Sequence, residues 1–285
     1  MDPLLTSLLD LLFELREQPT PITIGGGSGL FLKRQHLLTI GSRMLLAELP
    51  QPRATNDLDL FIRAEILADL QRTTEIRDAI RRLGYQPVEE ARYLQWKWEI
   101  VVAGMAKEVK IDLLVGPLGP HRAQVHVSAP RARPKGKSIE FHAHCTDEAV
   151  AIEEGPILVS LTGTRSGGQP FQGTVFVPQA FPYLMMKLFA FSDRKADQNK
   201  DLGRHHALDL YTIIGMMTEE EYEAARRLAQ DHAGDANVQK AHEIVREDFA
   251  SDTNPGVVRL REHPLFRPAF LVPDFLGTLK DIFKG

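Results

Sequence analysis

A chain of 285 residues with 43% hydrophobic and 25% charged residues has the makeup of a globular protein able to bury a large core. Its net charge of −4 argues against general affinity for nucleic acid, though not against a local basic groove. The single cysteine excludes an internal disulfide and fits a reducing compartment.

The first stretch, MDPLLTSLLDLLFELREQPT, is apolar, but Asp10, Glu14 and Arg16 interrupt it. It shows neither a basic leader nor a small-residue cleavage site. Leu4, Leu5, Leu8, Leu9, Leu11 and Leu12 recur at helical spacing, which predicts an amphipathic packing helix. No run approaches the roughly 20 apolar residues that cross a bilayer, so a soluble, cytoplasmic chain is expected.

PITIGGGSG reads as a short strand ending in a glycine turn, and a helix is expected over about residues 30–49. LPQPRAT breaks that helix, and NDLDLFI is a strand. Residues 64–83 are helical in pattern, with Gly84 as the residue just past the end. YLQWKWEIVVAG and KEVKIDLLVG form an expected hairpin, and the basic, proline-containing stretch 121–137 reads as a loop. SIEFHAHC and GPILVSLTG return to strand. From Gln179 onward the pattern is mostly helical, including a capping box at Thr218 and Glu221. The expected class is α+β: a mixed sheet with flanking helices over residues 1–175, then a helical domain over 176–285.

Within NDLDLFI, side chains alternate faces, so Asp57 and Asp59 share one face and Leu58 and Leu60 the other. Carboxylates that close repel, and a cation between them relieves the repulsion. Oxygen ligands on a strand suit Mg²⁺, which keeps several waters and takes one or two carboxylates. An exposed strand start, solvated or salt-bridged, is the competing reading. Asp112, inside the apolar run KIDLLVG, is a third acid that would be costly to bury alone. In GGGSGL, Gly26, Gly27 and Ser28 lie in a turn that joins a strand to a helix, where glycine N–H groups, the Ser28 hydroxyl and the helix N-terminus can receive a phosphate. The turn is neither a Walker A loop nor a dinucleotide fingerprint.

A Gly-Gly-Ser turn, a D-x-D strand and a later strand aspartate together resemble the DNA polymerase β-type nucleotidyltransferase superfamily. KLFAFSDR and KDLGRHHALDLY, with Lys187, Arg194, Asp201 and Asp209, look like the pattern of the AbiEii/AbiGii toxin-type nucleotidyltransferases, which include the MenT-type toxins. RATNDLDLFI matches that group's acid strand, and the resemblance spans roughly residues 22–215. The span from the glycine turn to the acid pair is longer here than is usual in the family.

The resemblance implies an enzyme that moves NMP from an NTP to an acceptor hydroxyl with Mg²⁺ (or Mn²⁺) and releases pyrophosphate. It implies metal ligation by Asp57, Asp59 and Asp112. Gly26, Gly27, Ser28, Thr55, Lys187 and Arg194 would bind the nucleotide, and Asp209 would partner a cation. The implied acceptor is RNA, such as a tRNA, and the implied setting is the toxin half of a toxin–antitoxin pair with a cognate antitoxin protein. A small-molecule or protein acceptor, and a catalytically silent nucleotide-binding or interaction protein, are the alternatives.

Lys187 and Arg194 are two helical turns apart, so they are expected on one face; solvated helix charges are the plainer reading. His142 and His144 with Cys145 lack the further ligands of a zinc site. Adjacent His205 and His206 cannot share a helix face. Arg122, Arg131, Arg133, Lys135 and Lys137 occur between His121 and Lys137 without an acid, a composition suited to phosphate contact or to a solvated loop. Trp96 and Trp98 share a strand face, with sheet packing favoured over base stacking.

Overall fold

The computed structural model describes residues 3–17, 20–51, 57–91, 93–102, 105–136 and 139–284. The chain divides into two compact units. The first comprises Met1–His36, Ala54–Asp147 and Pro156–Val177; the second comprises Leu37–Arg53, Glu148–Gly155 and Pro178–Gly285.

The first unit is built on one mixed sheet. Its strands are β1 (Ile22–Ile24), β2 (Asp57–Ile62), β3 (Gln86–Pro87), β4 (Gln95–Val102), β5 (Met105–Val115), β6 (Val125–Ser128), β7 (Arg131–Pro134), β8 (Ala143–Cys145), β9 (Ile157–Thr164) and β10 (Pro170–Val177). They lie in the order β6-β7-β8-β5-β2-β1-β10-β9, with β4 also on β5 and β3 on β4. β2 and β8 run parallel to β5, and β1 runs parallel to β10. One face is apolar: Leu58, Leu60, Ile111, Leu113 and Trp96 are each at most 1% exposed. The core they belong to also takes in residues of α1 (Pro3–Glu14), α3 (Ala64–Ala68) and α4 (Leu70–Arg82). Both indoles belong to this packing, with Trp98 against Tyr85, so base stacking on Trp96 is excluded by its burial.

Three features depart from expectation. The helix after the glycine turn, α2, runs Gly26–Thr39 and not 30–49. Gly41, at φ +67°, ends it: the Ser42 N–H bonds Leu37 O at 3.0 Å and the Gly41 N–H bonds Leu38 O at 3.3 Å, the paired bonds of a Schellman stop. The following segment stays extended because Leu45 and Leu46 donate to Met217 O and Gly215 O within the second unit. The stretch expected as a loop is, over its described residues 121–136, not a loop either. A 3₁₀ turn leads into the β6–β7 hairpin, held because Val125 and Ala132 face the core. Finally, β10 pairs along its whole length with β9 and was not expected as a strand.

The second unit is helical: α5 (Ala180–Arg194), α6 (Arg204–Met216), α7 (Glu219–Asp231), α8 (Ala236–Asp248), α9 (Pro255–Arg261) and α10 (Val272–Ile282). Phe181, Leu184, Leu188 and Phe191 of α5 are fully buried, and Tyr211 of α6 stacks on Phe270 at 4.6 Å. Thr218 caps α7 by accepting from the Glu221 N–H, as its capping box predicts. Among the described residues no helix is long and apolar enough to cross a membrane.

Candidate functional site

The sheet face opposite the buried leucines is polar where β2 and β5 adjoin. Parallel register sets Asp59 beside Asp112 and Asp57 beside Lys110. Asp57, Asp59 and Asp112 therefore share one face across two neighbouring strands. On the other side of β5, antiparallel register sets Gln95 opposite Asp112, and Gln95 Nε2 donates to Asp112 Oδ1 at 2.6 Å. Lys110 and Lys97, next along this face, both reach the Glu108 carboxylate.

The Asp112 carboxyl is perturbed. Burial pushes its carboxyl above the ordinary range; the Gln95 hydrogen bond opposes this, and the Asp57 charge adds to it. The charges of Lys110 and His144 act in the opposite sense, with smaller effect. A partly buried carboxylate answered by a neutral amide is a place where a bound cation would be stabilised.

The glycine turn closes on this strand despite the long intervening sequence. Gly25 N–H donates to Asp59 O at 2.8 Å. Gly26, at φ +55°, lies so close to Asp59 that an added Cβ would sit 1.6 Å from Oδ2. Only glycine fits there, both for the left-handed backbone and for the space. Residues Leu37–Arg53, which lengthen the span, belong to the second unit, while the turn and the acids share the first.

The Ser28 hydroxyl, expected at a phosphate, donates instead to Asp57 O at 2.5 Å and is 6% exposed. Backbone N–H groups at the start of α2 are the donors of this segment suited to an anion. Arg53 and Thr55 lie outside the described residues.

The donor set can be tested against Mg²⁺. It is oxygen-only, with Asp59 and Asp112 directly paired across strands, and the Asp59 carboxylate lies against the Gly26 backbone. Among the described residues no three His, Cys, Asp or Glu side chains converge closely enough to hold an ion unaided. A hard cation that takes one or two carboxylates and completes its shell with water or phosphate oxygens fits this arrangement.

Comparison with protein-family models, curated proteins and solved structures finds no match. The site stands on its own geometry.

Lys187, Arg194, Asp201 and Asp209 lie in the second unit. Lys187 of α5 and Asp209 of α6 form an ion pair at 2.8 Å, with side chains 12% and 7% exposed. Arg194 contacts His206, also on α6, so both cations of α5 face α6. Asp201 holds Arg204 and His205, and His205 Nδ1 meets His263 Nε2 at 2.8 Å. His144 is exposed and His142 packs edge-on against Tyr93. Sequence reasoning missed Gln95; the alternation in QWKW places it on the face away from Trp96, but only the register of β4 on β5 brings it to Asp112.

Proposed function

We propose that the chain is an Mg²⁺-dependent nucleotidyltransferase that moves NMP from an NTP to an acceptor hydroxyl. The observation that carries this reading is the Asp59–Asp112 pair on one polar sheet face, with the Gly26 backbone closed against Asp59. Asp59 and Asp112 would hold the cation, with Asp57 on the same face and water or phosphate oxygens completing its shell, and with Mn²⁺ as a substitute. When bound, it would offset the charge of the triphosphate and acidify the acceptor hydroxyl.

The chain's own groups then have separable tasks. The first turn of α2 offers backbone N–H groups to phosphate oxygens. Asp112 accepts the hydroxyl proton, the freed oxygen bonds to the α-phosphorus, and pyrophosphate departs with the electrons of the broken P–O bond. The resemblance to AbiEii-type enzymes implies a triphosphate role for Lys187 and Arg194 of the second unit, with Asp209 as the partner of Lys187. That resemblance also supplies the acceptor, an RNA such as tRNA, and the setting of a toxin with an antitoxin partner.

A catalytically silent nucleotide-binding scaffold is the second reading. It is favoured by the lack of a convergent three-ligand group among the described residues. Incubation of the purified protein with Mg²⁺, total RNA and each labelled NTP separates the two. Label should enter RNA with one or more nucleotides and be lost in Asp57→Ala. An NTP-induced thermal shift without transfer to any acceptor supports the silent scaffold and sinks the enzyme.

A further inference from the structure

The polar face of the first unit does not end at Asp112. β8 continues it beside β5, with His144 opposite Leu114, and β7 continues it beside β8, with Arg131 opposite His144. On β6, His126 stands opposite Arg133. Ala132, Ala143 and Val125 point to the core, so Arg131, Arg133, His126 and His144 all lie on the acid-bearing face. Two strand spacings separate β7 from β5, roughly 10 Å. The hairpin's cations thus begin a short way from Asp112, within the same unit.

Several other cations on the sheet and its helices have carboxylate partners. Lys97 and Lys110 share Glu108, Arg81 holds Glu140 and Arg82 holds Glu14. Among the described residues, Arg131 and Arg133 have no carboxylate partner. Arg133 reaches only the Pro134 carbonyl, at 3.4 Å. Arg131 Nε is buried without a hydrogen-bond acceptor. A buried guanidinium N–H without a partner costs free energy, and an incoming anion would satisfy it. Stretch 121–136 holds no Asp or Glu in a chain whose net charge is −4.

We propose that Arg131 and Arg133, flanked by His126 and His144, form a phosphate-contact strip for the backbone of a single-stranded RNA whose acceptor end reaches Asp112. The strip deepens the proposed function and rests on it for the direction of the bound strand. Strips two strands wide suit successive phosphates better than one small anion. Planar guanidinium forks suit phosphate oxygens.

The test is fluorescence anisotropy of a labelled RNA of about 20 nucleotides, titrated across a salt series. In Arg131→Gln/Arg133→Gln, affinity at low salt should fall about tenfold or more, and the log–log salt slope should shrink by about 1.4, or ~0.7 per lost contact. Because these arginines are half-buried, Arg122→Glu/His126→Glu serves as a second variant at exposed positions and should also weaken binding. Wild-type affinity and slope in both variants would overturn the proposal, as would no RNA binding by the wild type. RNA binding through the strip without any nucleotide transfer removes the enzyme reading and leaves the strip. RNA labelling at an unchanged KM in Arg131→Gln/Arg133→Gln does the reverse.

Discussion

Asp112 in the first unit and Asp209 in the second are both aspartates set among apolar neighbours, and the chain treats them differently. Asp209 meets the Lys187 ammonium at 2.8 Å, and Asp248, also buried, meets Lys195 at 2.7 Å. Asp112 meets the neutral amide of Gln95, and its carboxyl is pushed up by burial. A buried acid with a cation beside it ties helices together. A half-buried acid whose hydrogen bond comes from a neutral amide keeps more of its attraction for a cation, which is what a ligand site needs.

The largest expected effect breaks the first half of this contrast. Asp209→Asn leaves the Lys187 charge buried without its counterion and should cost about 3–5 kcal/mol in urea unfolding. Lys187→Met/Asp209→Leu removes both charges and should recover most of that loss, since an apolar replacement of a buried pair is often neutral or better. The recovered variant also assigns Lys187: retained nucleotide transfer would reduce the pair to helix packing, and lost transfer at wild-type stability would give Lys187 its phosphate role.

Gly26→Ala comes next, and it strikes the site side. The new Cβ would lie 1.6 Å from Asp59 Oδ2 on a backbone at φ +55°. Strain and displacement of the carboxylate together should cost about 2–4 kcal/mol. Transfer should vanish even at temperatures where the variant stays folded by circular dichroism. Wild-type activity in Gly26→Ala would separate the turn from the acids.

Asp112→Asn should move stability the other way. Because the Asp112 carboxyl is raised, the folded state holds its proton more tightly than the unfolded state does. That contribution is present at acid pH and lost as pH rises through the folded value, so at neutral pH the ionised carboxylate is a net cost. The asparagine variant keeps an oxygen for Gln95 and should gain about 0.5–2 kcal/mol at pH 7, a gain that shrinks on acidification. Mg²⁺ should stabilise the wild type, by about 1.4 kcal/mol at a tenfold excess over Kd, and leave the variant's melting point nearly unmoved. A destabilised variant at pH 7 would show Asp112 to be structural after all.

The acid strand was legible because its evidence is local: alternation alone sets Leu58 and Leu60 inside and Asp57 and Asp59 opposite. The partner of Asp209 was legible because a buried charge restricts the choices to the nearby cations. The stop of α2 at Gly41 was also written locally, but apolar residues beyond it imitated a longer helix. β10 was hidden for another reason. Gly163 and Gly173 weaken strand propensity in β9 and β10, yet they leave space for Leu5, Leu9 and Leu12 of α1, a contact visible only after folding. The β6 and β7 strands are four residues each, too short for alternation to outweigh their proline and charge. The Asp59–Asp112 and Gln95–Asp112 pairings depend on nonlocal register, which no window of sequence contains.

Ser28 gives the smallest effect and the sharpest division between support and ligand contact. Its hydroxyl donates to Asp57 O, so Ser28→Ala should cost about 1 kcal/mol by removing one buried hydrogen bond. If the hydroxyl only braces the acid strand, Ser28→Thr should keep part of the stability, and the KM for NTP should stay within about twofold in Ser28→Ala, well under the tenfold that ~1.4 kcal/mol of lost binding would produce. A tenfold rise in KM with unchanged melting temperature would return the hydroxyl to the phosphate. The outcome bears on the whole comparison, because Ser28 links the glycine turn to the strand that carries Asp57 and Asp59. A side chain that serves the strand leaves the phosphate to backbone N–H groups, whose placement depends on Gly25 and Gly26 rather than on the serine.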